Sequence, residues 1–396
     1  MASTLPSTLI PRIIGESRKA LRETFALATC VNIDGASRNG NSGLLEGKIG
    51  QSVDAAIPAA LSAADVTVGQ TVPNPSSITV GATQVTLSHF RKADFSLTGR
   101  QGSEYDLQSL FVEQVAEATR AVIKDLNEDL QLMYKKVPNL PVGSAGTGFF
   151  ASNPDGLADA HEELTTNLCP QANRKAVWSL ADMAAFLKLD QLQKANERGD
   201  QSVTNDAIVG RYLGFEHLQD QQVQSHTTGT ITSTPTVGSA GAAAGATSIP
   251  VDCATGEDLD LNVGDLITFS EDTTKAYAVA ADVAVTAGNS GTITIYHGLA
   301  DAITSSSDVA IATGHGSGAV NLAGDFSGIT LVNRLPARDS MGTAHMGTYL
   351  PMVDPETGIA LALVGYGLYH QAQWEVVGLW GEDVTDPRRL VRCYGA

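Results

Sequence analysis

Residues 107–136 read LQSLFVEQVAEATRAVIKDLNEDLQLMYKK, and their spacing decides what the rest of the chain can be. Leu107, Leu110, Phe111, Val115, Ala118, Val122, Leu126, Leu130, Met133 and Tyr134 recur at three- and four-residue steps, the apolar stripe of one helix. Ser103, with Asp106 three residues on, forms a capping box ahead of it, and Pro138 stops it. A helix over 104–136 is about 48 Å long, a spine rather than a turn of filler. Glu113, Glu117, Asp125, Glu128 and Asp129 share its other face with Arg120 and Lys124, which reads as a solvated, paired surface.

Upstream, residues 85–97 (VTLSHFRKADFSL) alternate with period two. Val85, Leu87, His89, Arg91, Ala93, Phe95 and Leu97 take one face, and Thr86, Ser88, Phe90, Lys92, Asp94 and Ser96 the other. As a single strand this spans about 43 Å. Its charged middle suggests a ribbon turned to solvent or to a partner rather than a core strand. GKIGQSVDAAIP (47–58) is its outgoing half, and the Pro- and Gly-punctuated GQTVPNPSSITVG lies between them. Further back, Ile14, Leu21, Phe25 and Ala28 suggest a short amphipathic helix in an arm, with Arg18, Lys19 and Arg22 on its other side.

Downstream, residues 138–160 are a Pro/Gly/Ser loop. An α/β pattern follows: a helix at 157–168, a strand at 174–180, and a helix capped by Ser179 with Asp182 at its third position, running to about Glu197. Two small strands around a turn fill 207–223. From Thr228 to Gly314 the composition shifts to Thr, Ser, Ala, Gly and Val, with ten acids and one base, Lys275. Short strands such as DLITFS and GTITIYH, separated by turn clusters, predict a small inserted β-barrel or sandwich. The segments on either side read as linkers, so their ends should lie close in space. After 315 the chain reads as strands joined by the DPETG and GEDVTDP turns.

The chain has 396 residues, of which 43% are hydrophobic and 17% charged, with 39 glycines and a formal charge of −18. This is enough for several domains with real cores. Such an acidic chain is a poor candidate for gripping nucleic-acid phosphates or an anionic membrane. No apolar run reaches the roughly 18 residues that span a bilayer. The first 23 residues lack an apolar stretch after a basic start, so no secretory signal is expected. Cys30, Cys169, Cys253 and Cys393 are too scattered for a zinc motif and read as reduced, buried thiols.

Chemical motifs are missing. There is no G-x-S-x-G. GSAGTG (143–148) has no lysine where a phosphate loop needs one. The eight histidines form no H-E-x-x-H, and His161 beside Glu162 and Glu163 reads as helix surface. Glu257, Asp258 and Asp260 do not match a calcium loop and read as a surface turn. Trp374 and Trp380 read as core or interface packing. No catalytic residue, cofactor or metal site is expected. What remains is an arm, a ribbon and a spine, which point to a building block of an assembly.

The order of these parts resembles the major capsid (coat) proteins of tailed double-stranded DNA phages with the Hong Kong 97-type fold, and most of all the short-tailed-phage type that carries an inserted domain. The segments that carry the resemblance are TQVTLSHFRKADFSLTG, VEQVAEATRAVIKDLNEDLQLMY, CPQANRKAVWSLADMAAFL, VGRYLGFEHLQDQQVQSHTTGT, AGATSIPVDCATGEDLDLNVGDLITF and QWEVVGLWGEDVTDPRRLVRCYGA. It implies an α+β chain. Residues 1–40 would be an N-terminal arm, 41–85 an extended β-loop, and 86–153 a peripheral domain with the spine helix 104–136. Residues 154–227 would be an α/β axial domain, 228–314 the inserted β-domain, and 315–396 axial and peripheral strands.

The same resemblance implies hexamers and pentamers of an icosahedral shell that encloses double-stranded DNA without sequence-specific binding. It implies a virion location after synthesis in the host cytoplasm. It also implies scaffolding and portal partners, a decoration protein as a further candidate, and no membrane. Lys48, Arg91, Lys92, Arg388 and Arg389 are the candidate intersubunit contacts. The competing readings are a tail, decoration or adhesion protein, against which the spine helix argues, and an α/β enzyme with a β-insert, for which no motif is found.

Overall fold

The computed structural model describes residues 9–23, 27–34, 46–57, 81–98, 107–151, 153–194, 209–337, 348–354, 357–369 and 371–395. The spine is an α-helix over Leu107–Leu132 that tightens to a 3₁₀ turn over Met133–Lys136 before Pro138. The capping pair Ser103 and Asp106 lies outside the described residues. Phe111, Val115, Ala118, Val122, Leu126, Leu130, Met133 and Tyr134 are all buried, as the spacing predicts. The charged face differs at one place. Asp129 is buried rather than solvated, because Trp380 Nε1 donates to its Oδ2 at 3.1 Å.

The spine lies across a seven-stranded sheet. Asn32–Asp34, Ile329–Pro336, Gln371–Val384, Ala360–Leu368 and Thr348–Val353 lie in that order; Glu46–Gly47 pairs with Ile329–Pro336, and His89–Thr98 with Gln371–Val384. Leu361, Leu363, Trp374, Val376 and Trp380 reach from the sheet into the same core as the spine. The N-terminal helix, Leu9–Glu23, also packs on the spine. Its buried face is Leu9, Ile13, Ser17 and Ala20. The expected face through Ile14 is therefore one residue out of phase; Ile14 is half-buried, and Ala28 is buried beyond the helix. The side chains of Leu21 and Phe25 lie outside the described residues.

The expected single strand over 85–97 is two strands with a break at Leu87–Ser88. Gly81–Thr86 pairs with Ser52–Ile57 as a two-stranded ribbon, whereas His89–Thr98 is built into the sheet. The alternation survives the break: Val85 and Leu87 are buried, and Ala93, Phe95 and Leu97 pack on the core. Gly381 permits the crossing, since a Cβ there would run into the Thr86 carbonyl. The 89–98 segment is thus a sheet strand over the core, not a free ribbon.

A second seven-stranded sheet follows the order Val142–Gly143, Leu390–Tyr394, Gly318–Gly324, Lys175–Trp178, Phe215–Gln219, Arg211–Tyr212, with Ser225–His226 paired to Gly318–Gly324. Helices Asp155–Thr166 and Leu180–Leu187 flank it. Ser179 caps the latter, its Oγ accepting from the Asp182 N–H at 3.1 Å. That helix ends at Leu187, short of the expected Glu197, and a separate turn follows at Asp190–Gln193. The two sheets are joined by two adjacent crossings, Phe326–Gly328 and Pro387–Arg389, both 3₁₀ turns.

Between the paired strands Ser225–His226 and Gly318–Gly324, residues 230–311 form three three-stranded sheets. Their core is their own, running from Val237 through Ile249, Leu261, Phe269 and Ile293 to Val309. Among the described residues, no helix is long and apolar enough to cross a membrane.

Candidate assembly surfaces and buried polar hubs

The ribbon is the first candidate surface. Its root is tied down by Val85 and Leu87 against Val332 and Leu379, with Val53 beside them. Beyond the root, strands 52–57 and 81–86 pair with each other and with no further strand among the described residues. Two strands alone are marginal in water. Ile49 is exposed next to this root, and Phe90 on the strand that leaves it.

The five candidate contact residues fall in three places. Lys48 is exposed at the ribbon's base. Arg91 and Lys92 are exposed on the sheet strand; Lys92 Nζ reaches Glu375 at 3.5 Å and Asp94 at 3.8 Å. Arg388 and Arg389 stand together at the crossing between the sheets. Arg389 donates to Asp325 Oδ2 (2.8 Å), Ser327 Oγ (2.7 Å) and Asp386 Oδ2 (3.1 Å). Arg388 Nε reaches Asp386 Oδ1 at 3.0 Å, and its side chain is 62% exposed. Burial works to raise the Asp386 carboxyl, but its bonds from the two arginines win and hold it low. Arg389 is thus a fastener between the sheets, while Lys48 and Arg91 present their charge outward.

Two polar hubs, one buried and one half-buried, went unseen in the sequence. The first closes the base of the 230–311 unit. His226 Nε2 and His315 Nε2 donate to the same oxygen, Asp265 Oδ1, at 2.8 and 3.0 Å. The backbone N–H groups of Gly229 and Asn262 donate to Asp265 Oδ2. Each Nδ1 lies within hydrogen-bond reach of a tyrosine hydroxyl: His226 of Tyr134 at 3.0 Å and His315 of Tyr394 at 2.6 Å. Arg392 spans the hub's edge, donating to the carbonyls of Gly264 and Lys135. Burial alone would raise the Asp265 carboxyl, but four donated hydrogen bonds outweigh it and hold it well below the ordinary range. Burial, assisted by the Arg392 charge and opposed by Asp265, pulls His315 down to about 4.

The second hub sits where the ribbon's second strand enters the sheet. His89 Nε2 lies 3.0 Å from Glu382 Oε1, and its Nδ1 lies 3.3 Å from Asp129 Oδ2. The ring stacks on Trp380. The hydrogen bond to Glu382 raises the His89 pKa against the opposing effect of burial, and burial raises that of Asp129. The signal available beforehand for the first hub was position: His226 and His315 lie in the two linkers that bracket the β-rich stretch. For the second there was none, since residues 89, 129 and 382 share no spacing.

The acid turn Glu257, Asp258 and Asp260 is a turn-and-strand surface. Glu257 and Asp258 accept backbone N–H bonds from Ala254 and Ala287. None of the four cysteines is in a disulfide, and Cys169, Cys253 and Cys393 are buried. His161 Nδ1 meets Arg174 Nη1 at 3.1 Å, so it is more than helix surface.

No family model and no curated protein matches the chain. Among solved structures, it is similar to the capsid of the cyanophage P-SCSP1u, with 12% identity, a TM-score of 0.48, 93% of this chain and 86% of that chain covered. It is similar to the mature capsid of bacteriophage PhiM1, at 10% identity, TM-score 0.48, and coverages of 94% and 86%. It is also similar to the capsid of a native GTA particle, at 12% identity, TM-score 0.46, and coverages of 100% and 93%.

Proposed function

We propose that this chain is a major capsid protein, a structural rather than catalytic molecule that self-assembles into hexamers and pentamers of an icosahedral shell around double-stranded DNA. The observation that carries this reading is the ribbon 52–57/81–86. It is rooted firmly in the sheet yet, among the described residues, paired only with itself. A lone ribbon of this kind is stable when a neighbour supplies the missing surface. The succession of arm helix, ribbon, spine and two sheets supports the same reading, in which the sheet under the spine acts as the peripheral domain and the other as the α/β axial domain of a Hong Kong 97-type coat protein. Residues 228–314 then act as the inserted domain.

On this reading Lys48 and Arg91 form ion pairs with acidic neighbours in the shell, joined by the exposed parts of Lys92, Arg388 and Arg389. Scaffolding and portal proteins are the partners, with a decoration protein as a further one, and the location is the virion after synthesis in the host cytoplasm. A surface of net charge −18 keeps the shell from adhering to the genome it encloses.

The test is negative-stain electron microscopy of the purified chain, expressed with and without a candidate scaffolding protein. Closed uniform shells or ring-shaped capsomers are expected. A lone monomer under every condition, with the ribbon protected from proteolysis, overturns the reading.

A further inference from the structure

Two clusters bring histidine and carboxylate atoms within 4.8 Å of one another, His226–Asp265–His315 and His89–Asp129–Glu382. They differ in what they still need. In the first, one carboxylate meets two rings, its acceptors are filled, and Arg392 supplies a positive charge beside it. In the second, two carboxylates meet one ring. Glu382 has a side chain only 5% exposed, and its Oε2 is buried with no hydrogen-bond partner among the described residues. Lys136, nearby in sequence to the spine's end, is committed to Asp383 at 2.7 Å. Arg91, the other charge that bears on the cluster, is exposed to solvent. Two anions with an orphaned oxygen in a half-buried place are costly without a cation.

We propose that His89, Asp129 and Glu382 form a divalent-cation site. Imidazole combined with two carboxylates selects Zn²⁺ or Mn²⁺ over Ca²⁺ and Mg²⁺. The charge of the two carboxylates matches the ion, and the exposed edges of His89 (27%) and Asp129 (11%) leave an entry path and room for water ligands. Trp380 orients the set, since its ring stacks on His89 and its Nε1 holds Asp129. The three ligands come from three elements: the first residue of strand 89–98, the last turn of the spine, and the longest strand of the sheet. A bound ion pins the ribbon's point of entry to the spine. The proposal stands on these residues alone and does not depend on the coat reading.

The full chain, stripped of metal and titrated at pH 7.5 with Zn²⁺ and with Mn²⁺ by calorimetry, is expected to bind one ion, and its Tm to rise when saturated. Ca²⁺ at the same concentration should leave Tm unchanged. Glu382→Gln and His89→Gln should each weaken binding roughly tenfold or more and abolish the rise in Tm, with near-UV circular dichroism confirming the fold. The wild-type titration decides even if a variant fails to fold. Absence of stoichiometric binding overturns the site, leaving a protonated His89 as the only cation between the carboxylates. Binding of equal strength in both variants overturns it too, by placing the ion elsewhere.

Discussion

His315 is the residue whose protonation the fold resists most legibly. Its ring donates to Asp265 and accepts from Tyr394, a neutral arrangement, and burial holds its pKa at about 4 against an ordinary 6.5. The folded state therefore favours the neutral ring. That contribution is complete above about pH 6.5 and is lost as pH falls toward 4, on the order of 3 kcal/mol across the window. Asp265, held below its ordinary 3.8, contributes stability above that value and loses it only below, so it adds nothing to the slope between 6.5 and 4. Denaturant unfolding at pH 7.5, 6.5, 5.5 and 4.5 should show wild type losing stability more steeply than His315→Gln; equal slopes would assign the loss to other groups. Asp220 offers a second test at this scale. Its Oδ2 accepts from Asn127 Nδ2 (2.8 Å) and Gln131 Nε2 (3.0 Å), both on the spine. Asp220→Ala strands two buried amides and should cost about 2–4 kcal/mol in urea unfolding. Neither hub could be read from spacing. Residues 134, 226, 265, 315 and 394 meet only after both sheets and the β-rich unit are in place, and Asp129 looked like one more acid on a charged helix face.

Elements were more legible than contacts, because periodicity reports burial directly and pairing only indirectly. The spine's stripe from Phe111 to Tyr134 is buried as spaced, and Leu126→Ala should cost about 2–5 kcal/mol in the same assay. The strand over 85–97 kept its alternation but not its continuity. A change of partner, from Ser52–Ile57 to Gln371–Val384, leaves no mark in a period of two. The N-terminal helix slipped by one position since Ser17 occupies its buried face, where hydrophobicity alone finds no signal. The crossings between the sheets were invisible for another reason: their determinants are glycines. Gly324 has φ +140°, and a Cβ there would meet the Arg389 carbonyl of the neighbouring crossing. Gly146 has φ +76° and open space around it. Gly146→Ala should therefore cost only the backbone conformational penalty, about 1–2 kcal/mol. Gly324→Ala, which must also push the crossings apart, should lose clearly more, read as a larger drop in Tm. Equal losses would mean that the two crossings are not held against each other.

At the scale of the whole molecule, the 230–311 unit stands apart from the two sheets by its core and is joined to them by its base. Its apolar residues pack on one another, and the chain enters and leaves through neighbouring antiparallel strands, with His226 opposite Gly318 and Ser225 opposite Ala319. A two-residue Asn-Gly turn can close such a pair. Replacing 227–317 by that turn should leave the two sheets and the spine folded, with a retained near-UV signal from Trp178, Trp374 and Trp380, all outside the excised stretch. The excised part carries ten acids and Lys275, so net charge should move from −18 to −9, visible on isoelectric focusing. The cost should appear at the seam. Tyr394 loses the His315 ring, His226 keeps Tyr134 but loses Asp265, Arg392 loses the Gly264 carbonyl, and the Lys136 carbonyl at the end of the spine loses His297. A folded but less stable protein is the expected outcome. A collapsed one without near-UV signal would show that the sheets need this unit to fold, and that the seam, not the separate core, describes how the molecule is divided.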